Sequence, residues 1–158
     1  MDYTTKYCCP LGNITLASDG AALVGLWFDG QQHFAESLSA QHVENRTLAV
    51  FDDTCRWLDI YFNGGIPHFT PKMHLRGSSF RKTVWQLLLS IPYGKTATYG
   101  ELAQMLGYRS AQAVGGAIGH NPVSIIIPCH RIVGAGGKLI GYAGGIEKKR
   151  QLLLMESR

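Results

Sequence analysis

Acidic residues are scarce in the second half of this 158-residue chain. Residues 72–158 hold only Glu101, Glu147 and Glu156 against 12 lysines and arginines, a net charge of +9. Residues 1–71 hold eight acidic groups against Lys6, Arg46 and Arg56, a net charge of −5. The modest total of +4 is therefore a difference between two oppositely charged halves. A basic half of this size suits a polyanion, with nucleic acid the first candidate. A solvated, lysine-rich surface is the competing reading.

Cysteine is also sparse. Cys8, Cys9, Cys55 and Cys129 form no Cys-x-x-Cys pair. One adjacent pair with two scattered singles is not a disulfide framework, and a reducing compartment is expected. The histidines and cysteines show no metal-ligand spacing, so no metal is expected. No apolar run approaches the roughly 20 residues of a membrane helix. Residues 1–6 lack an apolar signal core. The expectation is a cytoplasmic protein with no membrane partner. Hydrophobic residues make up 46% of the chain, enough for a packed core.

The first half reads as a hairpin followed by a helix. Asn13 to Ala17 alternates, Asp19-Gly20 offers a turn, and Ala22 to Phe28 is a second apolar strand. Leu48, Phe51, Cys55, Leu58 and Phe62 follow the stripe of an amphipathic helix, which Asn63-Gly64-Gly65 stops. On that stripe Cys55 is expected in the core. Pro67 to Pro71 marks a linker where the charge changes sign, dividing the chain into 1–71 and 72–158.

The second half reads mainly as helices with short turns. Phe80, Val84, Leu87, Leu88 and Ile91 form one apolar face. Thr98 and Glu101 have capping-box spacing for a second helix, closed by Gly107. Ser110 caps a third from Ala111 to about Gly119, and Asn121-Pro122 ends it. The last two make a helix-turn-helix pattern. The third helix contains Gly115 and Gly116, each costing about 0.5–1 kcal/mol against Ala. Close approach to a large partner explains that cost, and so does tight packing on a neighbouring helix.

Ser124 to Ile127 reads as a buried strand leading into Pro128-Cys129-His130-Arg131. A thiolate is the nucleophilic form of cysteine, and neighbouring positive groups lower a thiol pKa. A buried, inert cysteine is the commoner case for such a pair taken alone.

Asn121-Pro122, Ile125 to Gly134 around the Pro-Cys-His-Arg core, and Gly141-Tyr142-Ala143-Gly144-Gly145 resemble the O6-alkylguanine-DNA alkyltransferase family. The match extends in order through Phe80-Arg81, Val84-Trp85, Ile91 to Gly94, Tyr99-Gly100, Leu102-Ala103 and Ala113 to Gly115, spanning about 77–156. It is looser in the first half, at Pro10-Leu11-Gly12 and Trp57 to Phe62.

The resemblance implies an α+β fold. A small N-terminal α/β domain of sheet plus helices precedes a mostly helical, winged-helix-like domain with the helix-turn-helix. It implies DNA repair by direct, irreversible transfer of one alkyl group from O6-alkylguanine to Cys129, with O4-alkylthymine a second candidate lesion. His130 matches the base that takes the thiol proton through a water, and Glu156 matches the acid that orients it. Asn121 matches a structural asparagine tying the recognition helix to the cysteine segment. Tyr99 matches the hydroxyl that approaches N3 of a flipped guanine. Tyr142 matches the pocket wall, and the Ile132 carbonyl an acceptor for the exocyclic amine.

Gln112, Ala113, Gly115, Gly116, Arg131 and Ala143 complete the residues expected at substrate or DNA. Two depart from the family pattern: Gln112 stands where many members carry an arginine finger, and Ala143 where members carry Ser. Arg76, Arg81, Lys82, Lys95 and Arg109 are candidates for phosphates. The implied partner is double-stranded DNA entered from the minor groove by a monomer, with no cofactor. A lesion-binding relative without transfer, an alkylation-sensing DNA-binding regulator and a thiol hydrolase are the competing functions.

Overall fold

The computed structural model describes residues 1–107 and 110–158. They form two compact units, Met1–Arg76 and Gly77–Arg158.

The first unit is built on a four-stranded sheet of order β3-β2-β1-β4. Strand β1 (Asp2–Cys9) pairs antiparallel with β2 (Gly12–Ser18), and β2 with β3 (Leu23–Phe28). The short β4 (His42–Glu44) lies parallel to β1 at the edge. The expected hairpin is thus β2 and β3. All of β3 and Ile14 to Ser18 of β2 are buried. Helix α1 (Ala49–Phe62) packs on β1 and β2. Its buried face is Val50, Phe51, Thr54, Trp57, Leu58 and Tyr61. That face is rotated from the predicted stripe, because the Trp57–Tyr61 stack, with centroids 5.3 Å apart, takes the core position. Cys55 is left half-buried.

The unit runs five residues past Pro71. Leu23 N donates to the Lys72 carbonyl at 2.8 Å and His74 N to the Leu23 carbonyl at 2.9 Å. Arg76 then clamps the buried Asp2 carboxylate through Nη1 (2.7 Å) and Nη2 (2.9 Å). Measured at this boundary, the units carry −3 and +7. Arg76, expected at phosphate, belongs to the acidic unit and is paired there.

In the second unit α2 (Ser79–Leu88) and α3 (Tyr99–Leu106) both pack on α4 (Ala111–Gly119). The Thr98–Glu101 capping box is formed, Gly107 closes α3 in the left-handed region, and the Ser110 hydroxyl caps α4. Trp85 Nε1 donates to the Ala117 carbonyl at 2.8 Å, fixing α2 on α4. Arg109, one of the phosphate candidates, lies outside the described residues. Helix α5 (Ile146–Glu156) follows a glycine-rich loop.

Ser124 to Ile127 is not a strand. It is a buried series of turns, with Ile126 N on the Ser124 carbonyl (2.8 Å) and Ile127 N on the Val123 carbonyl (3.0 Å). Ile125 adopts φ +71°, a costly conformation for a β-branched residue. The apolar run is buried as predicted, but its backbone is satisfied locally rather than by a neighbouring strand. The ladder forms later, where β6 (Ile132–Val133) pairs parallel with β5 (Ala97–Thr98). Among the described residues no helix is long and apolar enough to cross a membrane.

Candidate active site

Cys129 and His130 open a single 3-10 turn, Cys129–Arg131, that leads into β6. The β5–β6 register sets Thr98 beside Val133, so Tyr99, the first residue of α3, is carried to the same site. Asn121 locks the approach to this turn. Its Nδ2 donates to the Ile127 carbonyl at 2.8 Å, and its Oδ1 accepts from Val123 N at 3.0 Å. These bonds join Asn121, just past the end of α4, to the segment leading into Cys129.

Cys129 is 5% exposed. Burial pushes its thiol up to about 11, against a hydrogen bond from Asn121 and the positive Lys149, which act to lower it. At neutral pH the resting group is the thiol. Burial holds His130 below the ordinary imidazole value, against the pull of Glu156, so His130 is neutral at pH 7. Its Nε2 lies 2.6 Å from Glu156 Oε2, and its buried Nδ1 has no hydrogen-bond partner among the described residues. With Nε2–H donated to the carboxylate, Nδ1 presents the basic lone pair.

Glu156 is held by more than the histidine. Arg131 Nε donates to Oε1 at 2.7 Å and Nη2 to Oε2 at 3.2 Å. Gly94 N donates to Oε1 at 3.3 Å. Arg131 Nη1 is fixed on the Ile91 carbonyl at 2.7 Å, and its guanidinium lies over the Tyr93 ring. Arg131, expected at DNA, is thus turned inward as a clamp on the acid. A bidentate pair gives the carboxylate one orientation beside the imidazole.

Two further groups bear on the cysteine. Tyr99 donates its hydroxyl to the Ile140 carbonyl at 2.9 Å, and burial together with the neighbouring Cys129 raises its pKa. Lys149, fully buried on α5, donates to the Ile140 (3.3 Å) and Gly141 (3.1 Å) carbonyls. Burial lowers its pKa, and Cys129 opposes that shift. Lys149 escaped the sequence reading because its spacing marks no motif. Ile132 is buried, while Tyr142 and Ala143 sit half-buried on the loop before α5.

On α4, Gln112, Ala113 and Gly116 are exposed and Gly115 is half-buried. A Cβ at Gly116 would meet nothing within 4 Å, and one at Gly115 would only touch the Tyr99 ring at 3.9 Å. Internal packing therefore does not demand either glycine. Lys82 and Lys95 are exposed and Arg81 half-exposed.

Residues 3–70 match the family model described as 6-O-methylguanine DNA methyltransferase, ribonuclease-like domain, and residues 79–158 that described as its DNA binding domain. The methylated-DNA–protein-cysteine methyltransferase of Mycobacterium tuberculosis H37Rv is 42% identical over 93% of this chain and 87% of its own length. The protein of that name from Methanosarcina acetivorans is 42% identical over 98% of this chain and 97% of its own. The crystal structure of Mycobacterium tuberculosis OGT in complex with DNA superposes with a TM-score of 0.86 at 41% identity, covering 99% of this chain and 92% of that one. By these matches, spanning both units, the chain belongs to the 6-O-methylguanine DNA methyltransferase family.

Proposed function

We propose that this protein repairs DNA by moving the alkyl group of O6-alkylguanine onto Cys129, once per molecule. The observation that carries this reading is the buried Cys129–His130–Glu156–Arg131 arrangement. It is a buried thiol next in the chain to an imidazole whose Nδ1 is buried and whose Nε2 rests on a clamped carboxylate. The cysteine is protected from adventitious alkylation until a proton acceptor and a substrate are both in place.

The reaction balances without a cofactor. The thiol proton passes to His130 through a bridging water, and Glu156 stabilises the resulting imidazolium. Sulfur attacks the alkyl carbon, the C–S bond forms, the C–O6 bond breaks, and the electron pair leaves on the guanine. Tyr99 donates its proton towards N3 of the departing base, and the imidazolium proton of His130 then returns through water to the Tyr99 phenolate, so that in sum the thiol proton ends on guanine. No step regenerates the thiol.

O6 of a paired guanine is out of reach within a duplex, so the nucleotide is flipped into the site at a cost of a few kcal/mol. The small, exposed residues of α4 suit entry into the narrow minor groove. Gln112 fills the vacated base position without the charge or stacking plane of guanidinium. The protein acts as a monomer in this scheme.

The test is incubation with a duplex bearing O6-methylguanine, followed by peptide mapping. A methyl group on the Cys129 peptide, absent in Cys129→Ala, is expected. Tight binding without transfer would establish the lesion-binding reading instead, and release of methylated product with repeated turnover would establish a hydrolase.

A further inference from the structure

The loop from Gly134 to Gly145 carries Tyr142 and Ala143, and six of its twelve residues are glycine. Gly136, Gly137, Gly141 and Gly145 have positive φ. Such a segment has a large conformational freedom to lose on ordering. Its internal bonds are short-range: Gly134 N to the Lys138 carbonyl (2.7 Å), Gly137 N to that of Gly134 (3.1 Å) and Gly145 N to that of Tyr142 (2.9 Å). Burial does not hold its middle, since Ile140 is 51% exposed. The Ile140 side chain merely rests against Gly134, where a Cβ would come within 2.3 Å of Ile140 Cδ1.

Two donors from helices outside the loop converge on this one residue. Tyr99 of α3 and Lys149 of α5 both bond the Ile140 carbonyl, and Lys149 also bonds that of Gly141. A fully buried ammonium with no carboxylate partner among the described residues is costly, and a methionine of similar shape would avoid that cost. Under the proposed function Tyr99 also has a second task. Its hydroxyl cannot donate its single proton to the Ile140 carbonyl and to a bound base at once.

We propose that Lys149 is a positioning residue: it anchors the Tyr142 loop at the Ile140 and Gly141 carbonyls, so that Tyr99 can leave Ile140 for the substrate without releasing the loop. This rests on the reading that a base occupies the site, but the anchor itself does not. Two donors on one carbonyl make one of them dispensable. The lysine, with two carbonyl contacts and no role at the base, is the one that stays.

Backbone hydrogen exchange of residues 138–145 in the full chain tests the anchor without any transfer being measured. Tyr99→Phe should raise exchange in this segment by less than about threefold, because Lys149 still holds it. Lys149→Met should raise it by about tenfold or more, with affinity for undamaged duplex kept within about twofold. In single-turnover transfer from an O6-methylguanine duplex, Lys149→Met should be slowed and Lys149→Gln, which keeps a donor, partly restored. Unchanged exchange in Lys149→Met overturns the proposal. So does full loss of protection in Tyr99→Phe, which needs no lysine variant and would make the tyrosine the sole anchor. Transfer absent even from the unaltered protein would instead overturn the functional reading, while leaving the exchange result intact.

Discussion

Cys129 is a weak nucleophile by design of its surroundings. Burial raises its thiol to about 11, well above the ordinary value of 9.0, so at neutral pH almost none is thiolate. Reaction with iodoacetamide in the absence of DNA should therefore climb with pH towards about 11; a midpoint near 9 would contradict a buried thiol. The same shift makes folding pH-dependent: the unfolded thiol ionises first, so this contribution is whole below about 9 and is lost as pH rises through 11. Arg131 illustrates a second residue-scale effect. It is 8% exposed and bonded twice to Glu156. Arg131→Met leaves an uncompensated buried carboxylate and should cost about 3–5 kcal/mol in urea unfolding. A loss under about 1 kcal/mol, the range of an exposed pair, would show that the clamp is not buried in solution.

At the scale of the element, α4 is assembled against its own stability. Val114, Ala117 and Ile118 bury one face, while Gly115 and Gly116 have room for a methyl group. Gly115→Ala and Gly116→Ala should each stabilise the free protein by about 0.5–1 kcal/mol. Both should weaken duplex binding, read by fluorescence anisotropy. Stabilisation with unchanged binding would return these glycines to a neutral role.

Helices α1 to α4 were legible in the sequence because local chemistry decides them: apolar spacing marks α1 and α2, and the Thr98–Glu101 box, Gly107 and Ser110 mark the ends of α3 and α4. Helix α5 was not. Its buried positions are Lys149, Leu152 and Glu156, so periodicity assigns two of its three inward groups to solvent. Strand β1 was missed for a related reason: its burial does not alternate, since Asp2, Thr5 and Cys9 are its buried residues and two of the three are polar. Resemblance to the family pointed to Cys129, His130 and Glu156, but the inward turn of Arg131 and the place of Lys149 depend on contacts between distant segments.

For the whole molecule, charge divides by unit: −3 over Met1–Arg76 and +7 over Gly77–Arg158. The division is sharper in meaning than in size, because Arg76 is paired with Asp2 in the acidic unit and Arg131 with Glu156 in the basic one. Neither is offered to a polyanion. The proposed phosphate contact then falls to exposed groups such as Lys82 and Lys95. Lys82→Glu should lower duplex affinity and flatten its salt dependence by about one to two charges' worth of slope. Arg56→Glu, exposed on α1 of the first unit, should leave both unchanged. Equal losses in the two variants would mean that net charge, and not a surface of the second unit, governs binding. The Asp2–Arg76 pair adds a limit at low pH. Arg76 holds the Asp2 carboxyl below its ordinary value of 3.8, so the stability it confers is present above that value and fades as pH falls below it.

Under the proposed function Cys129 is consumed by a single transfer. This is tested most directly by titrating the protein with increasing excess of O6-methylguanine duplex and counting methyl groups per chain by intact mass and peptide mapping. The expected result is a plateau at one methyl per chain, all of it on Cys129. A plateau above one, methyl on another residue, or continued consumption of substrate without a modified protein would contradict it.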